Sequence, residues 1–85
     1  MEKSFIIERL NQLIGSYTDI NKIEPGRDLM GVPASLPTYD MAALFLDVER
    51  EFDVNLNELI PSLGIFSPNE IADRILSLQA EYAPN

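Results

Sequence analysis

Apolar residues recur at helical spacing in three long segments of the chain. In residues 4–17 they fall at steps of three and four, as on one face of an amphipathic helix. Residues 37–52 and 68–82 repeat this pattern. The spacing predicts three long helices that share a core. The side chains expected in that core include Ile6, Leu10, Leu13, Leu44, Val48, Phe52, Ile71 and Ile75.

The clearest helix start in the sequence lies before residue 68. The Ser67 hydroxyl is suited to the N-cap, and Pro68 fits a first turn in which no backbone donor is needed. Glu70 stands three residues after Ser67, where a capping box has its acidic member. We therefore expect the third long helix to begin directly after Ser67.

A short helix is predicted between the second and third long ones, at residues 55–63. Asn55 or Asn57 can cap it, and Pro61 keeps it short because proline disturbs a helix interior. No segment alternates between apolar and polar residues with hairpin turns at its ends, so no sheet is expected. The chain is predicted to be all-α, a small four-helix bundle.

A long connection, residues 18–36, separates the first two predicted helices. It contains several Gly and Pro residues, which indicates a loop. Loops of this length inside a small domain are uncommon and are often functional. We expect Leu29, Met30 and Val32 to pack its middle onto the core. Residues 1–85 together form a single domain in this interpretation.

The amino-acid composition limits the classes of function that the chain can have. The chain has 85 residues, a formal net charge of −8, and no Cys, His or Trp. Thiol and histidine nucleophiles and metal sites built on these ligands are excluded, so we expect a binding protein and not an enzyme. Acidic surfaces repel nucleic acid and anionic lipid and favour basic proteins.

No stretch approaches the ~18 apolar residues of a membrane span. A monomeric, cytoplasmic protein is expected.

The second predicted helix also carries an apolar patch outside its core stripe. At about 100° per residue, Leu46 lies about 140° from Met41, with Ala42 and Tyr39 beside it. Residues 40–58 contain six acids and one base. This pattern is typical of a solvated face with one exposed leucine or of a docking surface for a basic partner. The candidate partner-binding residues are Tyr39, Asp40, Ala42, Leu46, Asp47, Glu49, Arg50 and Asp53.

The order of these parts resembles that of the acyl carrier proteins. Residues 47–53 read Asp-Val-Glu-Arg-Glu-Phe-Asp, and the second helix of that family ends in a Glu-rich stretch followed by Phe and Asp. Asp28-Leu29 and Gly31 are similar to the Asp-Leu and Gly that precede the family's modification site. The resemblance covers nearly the whole chain and implies a carrier-type bundle with a long loop between helices 1 and 2.

The resemblance implies a 4′-phosphopantetheine group on a serine at the start of the second helix, within an Asp-Ser-Leu motif. Counting back from Phe52 by the family's spacing reaches Thr38, where the family has serine. Three residues earlier, Ser35 is followed by Leu but preceded by Ala. One further helical turn would place Ser35 at the helix start, so it is the candidate attachment residue. Ser35 and Thr38 also suit the simpler role of N-cap, with Pro37 in the first turn.

Two functions follow from the resemblance. In the first, a phosphopantetheinyl transferase modifies Ser35, and the arm presents an acyl or aminoacyl group to basic-surfaced biosynthetic enzymes. In the second, the domain carries no prosthetic group, as in some carrier-related proteins of peptide-modification gene clusters, and acts as an adaptor that docks a basic enzyme or its peptide substrate. A helical interaction domain of unrelated ancestry is a third interpretation.

Overall fold

The computed structural model of the chain describes residues 2–17, 24, 26–29 and 37–82. These residues form four α-helices and no strand, which confirms the predicted all-α four-helix fold. Most of the predicted loop at 18–36 lies outside the described residues. The helices are α1 (Lys3–Gly15), α2 (Thr38–Phe52), α3 (Leu56–Ser62) and α4 (Pro68–Tyr82).

The helix bounds follow the sequence pattern closely, and the largest difference is at the end of α1. The pattern carries this helix to Tyr17, but the helix ends at Gly15. The next two residues form a tightened turn, in which the N–H groups of Ser16 and Tyr17 donate to the carbonyls three residues before them. Such turns satisfy orphan carbonyls at a helix end.

The apolar stripes of the helices meet in one core, and α1 packs chiefly on α4. The predicted core is confirmed at seven of its eight positions, but Leu13 is only partly buried. Ile14 takes the inner position instead, because α1 buries the row Ile6, Leu10 and Ile14 at steps of four. Helix α1 is thus rotated by a fraction of a turn from the expected orientation.

The caps of α3 and α4 are set by side chains near in sequence. The Asn55 side chain accepts the N–H of Asn57 at 2.9 Å, and the Ser67 hydroxyl accepts the N–H of Glu70 at 3.1 Å. Each bond satisfies one of the donors that a helix start leaves without an intrahelical partner. The Glu70 carboxylate accepts from the N–H of Gly64 at 3.2 Å, whereas a capping box would direct it back to Ser67.

The middle of the long connection is anchored at Leu29. This side chain is fully buried, and its N–H donates to the carbonyl of Phe66 at 2.9 Å. The Phe66 ring in turn meets Phe45 edge to face, with centroids 5.8 Å apart. The expected packing of Leu29 is confirmed, while Met30 and Val32 lie outside the described residues. The connection therefore joins the core next to the segment between α3 and α4.

Candidate docking face on the second helix

Helix α2 has large apolar side chains on the side away from the core. Tyr39 is 74% exposed and Leu46 is 52% exposed, and Ala42 lies exposed between them. These three residues are spaced by three and four, so they form one line along the helix surface. We call Tyr39, Ala42 and Leu46 the exposed stripe. The core needs none of them, because Met41, Leu44, Phe45, Val48 and Phe52 fill the opposite side.

The charged candidates do not surround this stripe evenly. Glu49, Arg50 and Asp53 are exposed beside it. Asp40 and Asp47 are only partly exposed and lie on the side of α2 that faces α1. The sequence predicted one acidic ring, but the structure divides the acids between two sides of the helix.

On the side toward α1, two carboxylates of α2 bind residues of α1 or the turn after it. The Tyr17 hydroxyl donates to Oδ2 of Asp47. Arg9 donates from Nε and Nη2 to the two oxygens of Glu51, the second at 2.7 Å. This bidentate geometry is the strong form of an arginine–carboxylate contact. Both carboxylates therefore hold α2 onto α1 and are less free to meet a partner.

These bonds shift the pKa of both donors upward. The hydrogen bond to Asp47 raises the pKa of Tyr17, because the phenol must keep its proton to donate, and burial and the Asp47 charge add to the effect. The hydrogen bond to Glu51 raises the pKa of Arg9, and the negative charges of Glu51 and Asp47 act in the same direction. Both donors therefore keep their protons at neutral pH.

On the side toward α3, the surface is open and acidic. Glu49, Asp53, Val54 and Asn55 line a shallow depression of 660 Å³. One Glu49 oxygen lies 3.4 Å from the N–H of Leu56, at the start of α3, and no described residue pairs with the Asp53 carboxylate. In the part of the chain that the structure describes, no three acidic, His or Cys side chains gather into a metal-binding group.

The end of α2 places Asp53 with an unusual backbone. Asp53 is in the left-handed conformation, with φ 55° and ψ 49°, and its N–H donates to the carbonyl of Glu49 at 3.0 Å. Left-handed C-caps are usually Gly or Asn, since a Cβ is disfavoured there. Gln79 of α4 donates from its side chain to the carbonyl of Phe52 at 3.1 Å. The backbone of Asp53, the acid nearest α3, is thus held by this hydrogen bond at the end of α2.

The start of α2 bears on the predicted attachment residue. Ser35 lies outside the described residues. Pro37 is the N-cap with extended backbone, φ −57° and ψ 152°, and its carbonyl accepts the N–H of Met41 at 3.0 Å. The expectation of Pro37 inside the first turn is therefore wrong, and α2 lacks the extra turn that would bring Ser35 to its start. Thr38 is the first helical residue, fourteen positions before Phe52.

Sequence reasoning missed the residues that hold α2 in place. Arg9 and Glu51 are 42 positions apart, and Tyr17 and Asp47 are 30 apart. No motif links such distant residues. The place of Tyr17 at the end of the apolar stripe of residues 4–17 was a sequence signal that this residue lies near the core.

Comparisons with protein-family models, with curated proteins and with solved structures gave no match for this chain. Among the described residues, no helix combines the length and the apolar character that crossing a bilayer requires. Ser35 lies outside the described residues, and the described start of α2, from Pro37 on, has no serine that could carry 4′-phosphopantetheine. The resemblance to acyl carrier proteins rests on the sequence motifs and is compatible with the four-helix fold.

Proposed function

We propose that this chain is an acyl-carrier-type domain that docks basic-surfaced biosynthetic enzymes through α2 and presents to them an acyl or aminoacyl group. The observation that supports this proposal is the exposed stripe with Glu49 and Asp53 beside it. Tyr39 is of a residue type enriched among the hot spots of protein interfaces, and the exposed Leu46 adds apolar surface on the same face. Exposed carboxylates next to them steer a basic partner and set its orientation.

In the carrier form, Ser35 holds the 4′-phosphopantetheine arm. The Ser35 hydroxyl oxygen bonds to the phosphorus that carries pantetheine in coenzyme A, and the pyrophosphate bond breaks. Adenosine 3′,5′-bisphosphate leaves, and the transferase takes up the proton of the hydroxyl. The arm, once attached, supplies a thiol that holds acyl groups as thioesters. The side chains of this domain dock the enzymes and take no part in the covalent chemistry.

A second candidate is an adaptor without a prosthetic group, and the start of α2 favours it. Thr38 is the first helical residue and occupies the position where the carrier family has its serine. Pro37 is extended, so Ser35 is separated from the helix start by a residue that does not continue the helix. An adaptor of this kind retains the docking face and positions a basic enzyme or its peptide substrate.

Intact mass distinguishes the two forms. The purified chain is incubated with coenzyme A and several broad-specificity phosphopantetheinyl transferases, and the mass of protein from the native host is measured in parallel. The carrier form is expected to gain one phosphopantetheine, which peptide mapping places on Ser35. The variant Ser35→Ala should lose that gain and Thr38→Ala should keep it.

Two other results would lead to a different assignment of the attachment residue or of the function. A gain that survives Ser35→Ala and disappears in Thr38→Ala would assign the arm to Thr38. No gain with any transferase, together with unmodified protein from the native host, would rule out the carrier form and leave the adaptor. The docking function is tested separately, by binding measurements on variants of Leu46 and Arg50.

A further inference from the structure

An open groove of 340 Å³ lies between α1 and α2, next to the exposed stripe. Its lining consists of Arg9 and Leu13 from α1 and Asp47, Arg50 and Glu51 from α2. Leu13 is partly buried and gives the groove an apolar portion. Four charged side chains surround it, two positive and two negative. The state of these four charges determines what the groove can bind.

Three of the four charged side chains already have hydrogen-bond partners within the fold. Arg9 is bonded twice to Glu51, and its remaining terminal nitrogen donates to Gln12 at 2.9 Å. Asp47 accepts the hydroxyl of Tyr17. Arg50 is exposed and forms no hydrogen bond or ion pair with any described residue. The formal charges of the lining sum to zero, and Arg50 is the one charged side chain among them without a hydrogen-bond or ion-pair partner in the described residues.

Arg50 lacks a partner even though acids stand one turn away on both sides. Asp47 is three residues before it and Asp53 three residues after it, a spacing that allows helical ion pairs. Asp47 is directed to Tyr17, and Asp53 has left the helical conformation. Arg50 also stands four residues after Leu46, so it shares the exposed face of α2 and borders the groove. A partner docked on the exposed stripe would meet it.

On the basis of the docking function proposed above, we infer that Arg50 and this groove receive an Asp or Glu side chain of the partner protein. The partner surface then has a mixed pattern: bases opposite Glu49 and Asp53, and one carboxylate opposite Arg50. A guanidinium beside a partly apolar wall is well suited to bind a carboxylate with two hydrogen bonds. A contact between Arg50 and a partner carboxylate discriminates against partners that present only basic side chains, because Arg50 repels a base placed opposite it.

A carboxylate borne by a protein fits this groove better than a free anion does. The negative field of the chain lowers the local concentration of small anions. A partner with a basic surface is attracted by the same field, and it carries its single carboxylate to Arg50 while its bases meet the acids. A second copy of this chain does not fit, since two copies at −8 repel each other.

The test uses a set of synthetic helical peptides. The parent peptide has leucines on one face and lysines on the other, and each further peptide replaces one lysine by glutamate. Affinities are measured by fluorescence anisotropy for the wild-type chain and for R50Q, R74Q and L46A. Arg74 is a matched control, because it is exposed on α4 and forms no ion pair with the described residues. Circular dichroism checks that all variants keep the helical fold.

We expect one glutamate position at which the wild-type chain binds about threefold tighter than at the other positions, as for a partly exposed ion pair. R50Q should abolish this preference and R74Q should keep it. Uniform weakening by every glutamate, or equal loss of the preference in R74Q, would overturn the inference about Arg50. If either result is found while L46A weakens binding of the parent peptide, the proposed docking function still stands. A parent peptide that does not bind, or that binds L46A equally well, would overturn both.

Discussion

Phe52 and Asp53 end α2, and each has a separate role at that end. Phe52 is 4% exposed and belongs to the core, while Asp53 is exposed and left-handed. The sequence pattern Phe-Asp therefore combines a packing residue with a helix stop. The two residues affect stability through different physical causes, and substitutions can separate them.

We expect F52A to lower the free energy of unfolding by about 3–5 kcal/mol, because it removes a buried ring and leaves a cavity. This loss is comparable with the whole stability of a small domain, so F52L is the informative second variant, with an expected loss of about 1.5 kcal/mol or less. Chemical denaturation followed by circular dichroism measures both. F5A is the control, since Phe5 is 55% exposed on α1, and it should change little. Equal losses for F52A and F5A would contradict the assigned core.

We expect D53G to be more stable than D53A by about 1 kcal/mol. Both variants remove the carboxylate, but only glycine adopts the left-handed conformation without a Cβ penalty. The comparison isolates the backbone contribution from the charge. Denaturation midpoints of the two variants provide the measurement. Equal stabilities would mean that the conformation at residue 53 is not strained.

At the scale of elements, α1 and α2 are joined by polar contacts on top of the shared core. Arg9 binds Glu51, and Tyr17 binds Asp47. Exposed ion pairs contribute little to stability, so the Tyr17 contact, which is partly buried, is the more informative of the two. Its donor titrates at high pH, and this allows the contact to be tested without changing the acidic face.

We expect the melting temperature of the wild type to fall as the pH rises above about 10. The ordinary tyrosine pKa is 10.0, and the bond to Asp47 raises the pKa of Tyr17 in the folded state. A group with a raised folded pKa contributes stability that is complete below the unfolded pKa and is lost as the pH passes through the folded one. The fall should be smaller in Y17F than in the wild type. Y39F, which alters an exposed tyrosine, should keep the full effect. A fall of equal size in Y17F would show that the contact with Asp47 is not its cause.

At the scale of the whole molecule, the charge distribution and the exposed stripe act together. Of the acids on α2, Asp47 and Glu51 are engaged with α1, while Glu49 and Asp53 lie exposed near α3. The docking face is therefore asymmetric, with its free negative charge on the α3 side. The apolar anchor and the charges should contribute to binding in different ways, and salt can separate them.

We expect binding of a broad-specificity phosphopantetheinyl transferase to weaken steeply from about 0.1 M to about 1 M salt, since the Debye length falls from about 10 Å to about 3 Å. L46A should weaken binding at both salt concentrations while leaving the fold intact. I65A is the matched control, because Ile65 is 45% exposed but lies outside α2. Calorimetric titration provides the affinities. Binding that resists salt and tolerates L46A would show that another surface docks the enzyme.

The sequence by itself determined the four helices, their bounds to within about two residues, and most of the core. These features are local: apolar spacing sets the buried face, and Ser67 and Asn55 cap helices through residues two or three positions away. The exposure of Leu46 followed from the same periodicity, since a helix buries only one side.

Only the tertiary structure decided which charges of α2 are free. Asp47 and Glu51 look equivalent to Glu49 in the sequence, but Tyr17 and Arg9 bind them across the bundle, from 30 and 42 positions away. The packing of α1 in the bundle likewise placed Ile14 inside and Leu13 at the edge. Contacts between distant residues depend on the rotation of each helix about its axis. A repeat of three to four residues leaves that rotation undetermined within a fraction of a turn.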